Sequence, residues 1–239
     1  MEILSFFLVA LLAGVHFSVK YFTQLVESPR NPLLSFAGGA SIGYITVHLL
    51  PDFQKIQEEF NLTVPLPRHI EEYSLYLIAT TGFLAFFIIN HFVRSSHHDH
   101  QEQQNRTLLF IVHIAAFALY NSFIGYYLVK GLKQEPKTLI MFTVVFILHL
   151  MVNDVGLRLD HKKRYGAFES ATLAVAIFGG WLLGIFITLP TAYYGVWFSW
   201  LAGGILLNTI KEELPSERKS KILPFVFGLL FSTTLFLFM

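Results

Sequence analysis

Two stretches decide how this chain is read: AGGASIGYITVHLLPD, from Ala37 to Asp52, and AGGILLNTIKEELPSE, from Ala202 to Glu217. Each opens on a small-residue triplet inside an apolar run and closes on a polar residue three positions before a proline. In the first copy that pair is His48 and Pro51, and in the second it is Glu212 and Pro215. Both runs are long enough to enter a bilayer. A repeat inverted across the membrane is how many transporters build a substrate site near the midplane.

Composition agrees with a membrane chain. The 239 residues are 54% hydrophobic and only 14% charged, with 25 Phe, more apolar sequence than a soluble core of this size requires. About 20 apolar residues cross the hydrocarbon core as a helix. Eight such stretches are found, at 3–25, 34–52, 74–94, 107–130, 138–158, 168–188, 191–211 and 221–239. They leave no room for a separate soluble domain, so residues 1–239 are read as one transmembrane domain. The stretches are continuous rather than alternating, which excludes a β-barrel. Cysteine is absent, which removes disulfides, thiolate metal sites and Cys nucleophiles. A formal charge of +1 gives no case for nucleic acid. Glu2 replaces a basic leader, so the first stretch is read as a retained span.

Eight crossings put both termini on one side. The connections between spans 1–2, 3–4, 5–6 and 7–8 carry twelve Lys and Arg, and the opposite connections carry five. The positive-inside rule then places both termini outside a cell membrane. Span 2 runs outward and span 7 inward, so the two copies are antiparallel. The connection 95–106 is cytoplasmic and carries His97, His98 and His100, either a weak metal-binding tract or a solvated hinge. The outer connection 53–73 contains NLT at Asn61, a glycosylation signal in a secretory eukaryote.

Ionisable and amide groups inside a bilayer are costly, so each is a candidate site residue. Span 4 contributes His113, Tyr120 and Asn121, and span 5 contributes His149, Asn153 and Asp154. His149 and Asn153 share a helix face, and Asp154 turns toward the next. Span 2 ends with His48 and Asp52, and span 7 with Asn208, Glu212 and Glu213. Imidazole, carboxylate and amide oxygen together suit a borderline divalent cation such as zinc, manganese or iron. The candidate metal residues are Asn121, His149, Asn153, Asp154, Glu212, Glu213 and His48. The plainer alternatives are a helix-end ion pair between Asp154 and Arg158, interhelical amide bonds at Asn121 and Asn153, a packed His113, and interface charges at Glu212 and Glu213.

On these residues the chain resembles the ZIP family of divalent metal transporters. The resemblance rests on eight spans, external termini, a His-containing connection between spans 3 and 4, HLLPD at 48–52, and EELP at 212–215, which is similar to EELIPE of a bacterial branch. Residues 120–125 (YNSFIG) fall on the family's H-N-x-x-[DE]-G, and residues 149–157 (HLMVNDVGL) on its H-E-x-P-H-E-x-G-D. The resemblance implies an all-α fold with an inverted 3+2+3 repeat and a two-metal site. It also implies erosion: Tyr120 stands at a ligand His, Ile124 at a carboxylate, and Leu150, Asn153 and Leu157 at Glu, His and Asp. Asn121, His149 and Asp154 survive.

The expectation is a ZIP-like transporter of a divalent cation with one atypical site, no cofactor and no enzymatic activity, since H-E-x-x-H, G-x-S-x-G and Cys nucleophiles are missing. The alternative is a ZIP-derived pseudotransporter serving as a structural or regulatory subunit, alone as a homodimer or with another membrane protein. The orientation is directly testable: in the Gln101→Cys variant of this cysteine-free chain, the thiol should resist an impermeant reagent in intact cells and react after permeabilisation.

Overall fold

The computed structural model describes residues 2–26, 32–95, 103–131, 135–161, 164–213 and 221–238. Among them every regular element is helical: α1 (Glu2–Val26), α2 (Pro32–Thr63), α3 (Ser74–Ser95), α4 (Gln103–Lys130), α5 (Pro136–His161), α6 (Ala167–Phe186), α7 (Thr191–Asn208) and α8 (Ile222–Leu237), with a single turn at Arg68–Glu71. Six of these, α1 to α6, are long and apolar enough to cross a membrane. The expectation of eight such spans is met only in part: α7 does not reach that apolarity over its 18 residues, and α8 has 16 residues, about 24 Å of helix against a hydrocarbon core of about 30 Å. Phe7, Phe87, Phe168, Phe186 and Phe227 point outward, as lipid-facing side chains do.

α2 departs most from the expected boundaries. The presumed connection 53–73 is largely helix, because α2 continues to Thr63 as an amphipathic extension with Phe53, Ile56 and Phe60 inward. Gln57 anchors this end: its Nε2 donates to Ser74 Oγ at 3.0 Å, and its Oε1 accepts from Leu75 N at 2.9 Å. Asn61, the expected glycosylation site, lies within this helix. The connection with His97, His98 and His100 falls outside the described residues.

Within α2 the ladder widens to a π turn at Ile45–Leu49. Pro51 supplies the cause, since it has no N–H to donate and its ring crowds the carbonyl four residues back. α7 ends in a second π turn at Thr209–Glu213, again two residues before a proline, Pro215. Both AGG copies therefore run into the same rare distortion at the same distance ahead of their proline. Single π turns recur at functional sites.

The helices associate through seams of small residues. α2 packs on α8, α3 on α7, α4 on α6, and α1 on both α5 and α6. A methyl group at Gly39 would strike the backbone at Phe225, at Gly203 that of Ala79, at Gly180 that of Ser122, and at Gly228 that of Phe36. Small residues let backbones approach where lipid supplies no hydrophobic drive between helices. Contacts rise together in number along each seam: Leu75 meets Gly195 and Phe86 meets Gly204; Ser122 meets Gly180 and Val129 meets Gly184; Ser35 meets Lys221 and Tyr44 meets Phe236. Each of these pairs is parallel. α2 and α3 form an antiparallel hairpin, with Gln57 against Ser74 and Gln54 bonded to Tyr76 at 2.8 Å, so α2 and α7 run in opposite directions. α5 lies at the centre: 72% of its apolar 18-residue stretch is buried, against 22% of the corresponding stretch in α3.

These seams predict a sharp contrast between adjacent glycines. Gly180→Ala should cost about 1–3 kcal/mol through backbone displacement, read as a lower melting temperature in detergent. Gly179→Ala, with nothing near the added methyl, should be neutral or gain up to about 1 kcal/mol.

Candidate functional site

The deepest polar contact joins α1, α4 and α5. His16 is fully buried at 0% exposure. Its Nδ1 lies 2.7 Å from Asp154 Oδ2 and its Nε2 lies 3.0 Å from Asn121 Oδ1. Asn121 Nδ2 donates to Phe117 O at 2.9 Å. The amide oxygen is thereby left as the acceptor, and His16 Nε2 carries a proton. The remaining axis holds one proton between Nδ1 and Asp154, so the trio is net neutral whether written as imidazolium with carboxylate or as imidazole with carboxylic acid.

Two expected residues, Asn121 and Asp154, thus meet through a third that the spacing argument passed over. His16 stands in span 1, in GVHFSV, with no second candidate ligand one turn away, only Lys20 at the span's end. The rule that intramembrane ionisable groups are functional by default, applied to span 1, is the signal that could have found it. Asp154 takes this partner rather than Arg158.

His149 and Asn153 lie on a different face of α5, as expected from their spacing, and Asn153 Nδ2 lies 3.0 Å from His149 Nε2. Tyr120 and Phe146 flank that imidazole, with ring centroids 5.9 and 5.6 Å away. Toward the Pro136 end of α5, Phe142 and Phe146 stack at 4.0 Å and Tyr44 closes on Phe146 at 5.1 Å. Tyr120 and Ile124, which stand where the resemblance puts metal ligands, line a small apolar cavity with Phe123 and Tyr127.

Beyond that aromatic layer lies a second polar cluster. Asp52 Oδ2 accepts from the Tyr127 hydroxyl at 3.0 Å and lies 3.6 Å from His48 Nε2, while Lys55 approaches Oδ1 at 3.3 Å. His48 stacks on Phe236 at 4.7 Å. Tyr127 had no spacing signal of its own, because its partners come from 75 and 79 residues away. At the opposite end of α5, His113 Nδ1 meets His161 Nε2 at 2.8 Å.

Along α5, therefore, the His48–Asp52–Tyr127 cluster, an aromatic layer, the His149 pair and the His113–His161 pair follow in order, with His16 and Asp154 at the side toward α1. Among the described residues no group of three or more His, Asp or Glu is placed to hold a metal ion. The side chains of Glu212 and Glu213 lie outside the described residues. No family model, curated protein or solved structure matches the chain.

A double-mutant cycle measures how far His16 and Asp154 depend on one another. Removing one partner of a buried pair costs about 3–5 kcal/mol, and replacing both with apolar residues costs much less. His16→Leu and Asp154→Leu should each lower the melting temperature in detergent, and the double variant should recover most of the loss. Strict additivity would show that the contact carries no coupling.

Proposed function

We propose that this chain is a ZIP-like eight-span membrane protein that carries a divalent cation, zinc, manganese or iron, across a cell membrane, with both termini on the extracytoplasmic face. The single observation that carries this reading is the buried set of His16, Asn121 and Asp154. It brings an imidazole nitrogen from α1, an amide oxygen from α4 and a carboxylate from α5, the most enclosed helix, together. That donor chemistry suits a borderline divalent ion, and a carboxylate in this setting is costly unless it serves a purpose. The cation would take the place between Asp154 and Asn121 that the imidazole now bridges, with His16 turning from hydrogen-bond partner to ligand.

Eight crossings are supported by parity. α2 with α8, α3 with α7 and α4 with α6 differ by even numbers of crossings, and each pair is parallel. An inverted 3+2+3 repeat is supported by the opposed directions of α2 and α7, by π turns at matching places before Pro51 and Pro215, and by the seams themselves. The α2–α8 seam corresponds to α7–α3 when the two three-helix units are exchanged. Alternating access would then open the aromatic layer of Tyr44, Phe142 and Phe146 toward the His48–Asp52–Tyr127 trio while the other end closes.

A second reading, a pseudotransporter held in a complex with itself or another membrane protein, is favoured by one observation: both nitrogens of His16 are already engaged, directly and at short distance. Uptake separates the two. Purified protein in liposomes should accumulate at least one of zinc, manganese, iron or cadmium above empty liposomes. Asp154→Asn, which keeps the side-chain shape but removes the charge, should lose most of that uptake. A folded wild type that moves none of these ions selects the pseudotransporter.

A further inference from the structure

At the end of the bundle that bears the 95–106 connection, α3, α4, α5 and α7 leave a small cleft of about 10 Å³, the room of a single water, lined by Asn90, His113, Phe117, Asn153, Asp160 and Asn208, among others. Three amide atoms of these residues have no hydrogen-bond partner among the described residues: Asn90 Nδ2, Asn153 Oδ1 and Asn208 Nδ2. The residues are only 5%, 2% and 2% exposed, and they come from three different helices. An orphaned buried donor or acceptor costs about 1–3 kcal/mol, and lipid has nothing to offset it. Three such groups on residues that line one cavity call for a polar occupant.

The hydrogen-bond inventory identifies its class. Asn153 uses its Nδ2 on His149, which leaves Oδ1 as an acceptor, while Asn90 and Asn208 present donors. An occupant must therefore accept two hydrogen bonds and donate one. Water does this and keeps a further proton for the polar wall at Asp160. A bare cation would face two donor NH2 groups. The space suits an occupant of water's size with three polar partners.

We propose that this cavity holds ordered water and is a one-sided aqueous inlet, through which small hydrophilic species reach Asn153 from the 95–106 end alone. One-sidedness follows from the aromatic layer beyond His149, where Phe142 and Phe146 stack at 4.0 Å and Tyr44 packs edge-on against Phe146 at 5.1 Å. The inlet goes beyond the transport reading and holds whether or not a metal crosses.

The test uses silver ion, which is close to water in size and reacts with thiols, on this cysteine-free chain. Asn208→Cys, Asn153→Cys and Phe146→Cys variants are placed in liposomes in one orientation, with the Gln101→Cys variant marking the 95–106 side. After Ag+ is applied to one side, the protein is denatured and its remaining thiols are labelled with a fluorescent maleimide. Asn208→Cys and Asn153→Cys should lose most of their labelling when Ag+ is on the 95–106 side and keep it when Ag+ is on the other. Phe146→Cys should keep it in both. Full labelling of the two asparagine-site thiols after Ag+ on the 95–106 side, or equal loss from either side, overturns the inlet. Should a cysteine variant fail to fold, Asn90→Leu and Asn208→Leu decide instead. In a wet cavity they forfeit bonds to water and lower the melting temperature, whereas in a dry one they remove orphaned amides and raise it. A raised melting temperature overturns the proposal.

Discussion

A carboxylate in the interior of a membrane-crossing helix must find a partner within the protein, and Asp154 finds His16. The consequence reaches beyond two side chains. α5 carries the carboxylate at the centre of the bundle, so α1 has to lie beside it at the register that brings His16 within 2.7 Å. Asn121 on α4 closes the other ring nitrogen at 3.0 Å, and its own amide is fixed by Phe117. Three helices are thus set in register by one imidazole. In hydrocarbon such bonds between helices are individually modest, about 0.6 kcal/mol on average for ordinary polar pairs. The larger effect is the penalty for leaving either partner of a buried charge pair alone.

Around that contact the remaining helices are held by shape. Apolar side chains gain nothing by leaving lipid, so close backbone contact at Gly39, Gly180, Gly203 and Gly228 supplies the dispersion that water would otherwise supply through the hydrophobic effect. The two kinds of interaction are segregated. The glycine seams join the parallel pairs α2–α8, α3–α7 and α4–α6, while polar groups collect along α5 and the faces of α2, α4 and α7 turned toward it. The aromatic layer divides that polar interior into two compartments. The π turns sit in the helices that bear the AGG copies, where an ordinary α ladder ahead of a proline would be hardest to keep.

Much of this was legible in the sequence, and the gaps have physical causes. Continuous apolar runs located the six helices that are long and apolar enough to cross a membrane, because hydropathy over about 20 residues is a one-dimensional property. The end of α2 was misjudged because its continuation past Asp52 is amphipathic: Phe53, Ile56 and Phe60 bury one face while charged residues cover the other, which a hydropathy window averages to a polar connection. Spacing of four correctly joined His149 to Asn153 and His48 to Asp52, since helix geometry determines such neighbours. It was silent about His16 with Asp154, 138 residues apart, and about Tyr127 with Asp52. Those contacts depend on which helices adjoin, and no local period encodes that.

The most direct test of the account looks at the His16 ring itself. Nitrogen-15 NMR of histidine-labelled protein in bilayers, with the His16→Gln spectrum used to assign the signals, reports what each ring nitrogen contacts. Without divalent ions both nitrogens of His16 should show hydrogen bonding, one of them strongly to a carboxylate. With saturating zinc or cadmium, one nitrogen should move to a metal-bound shift as the carboxylate contact is replaced. A His16 spectrum unchanged by either ion would contradict a cation site at His16, Asn121 and Asp154.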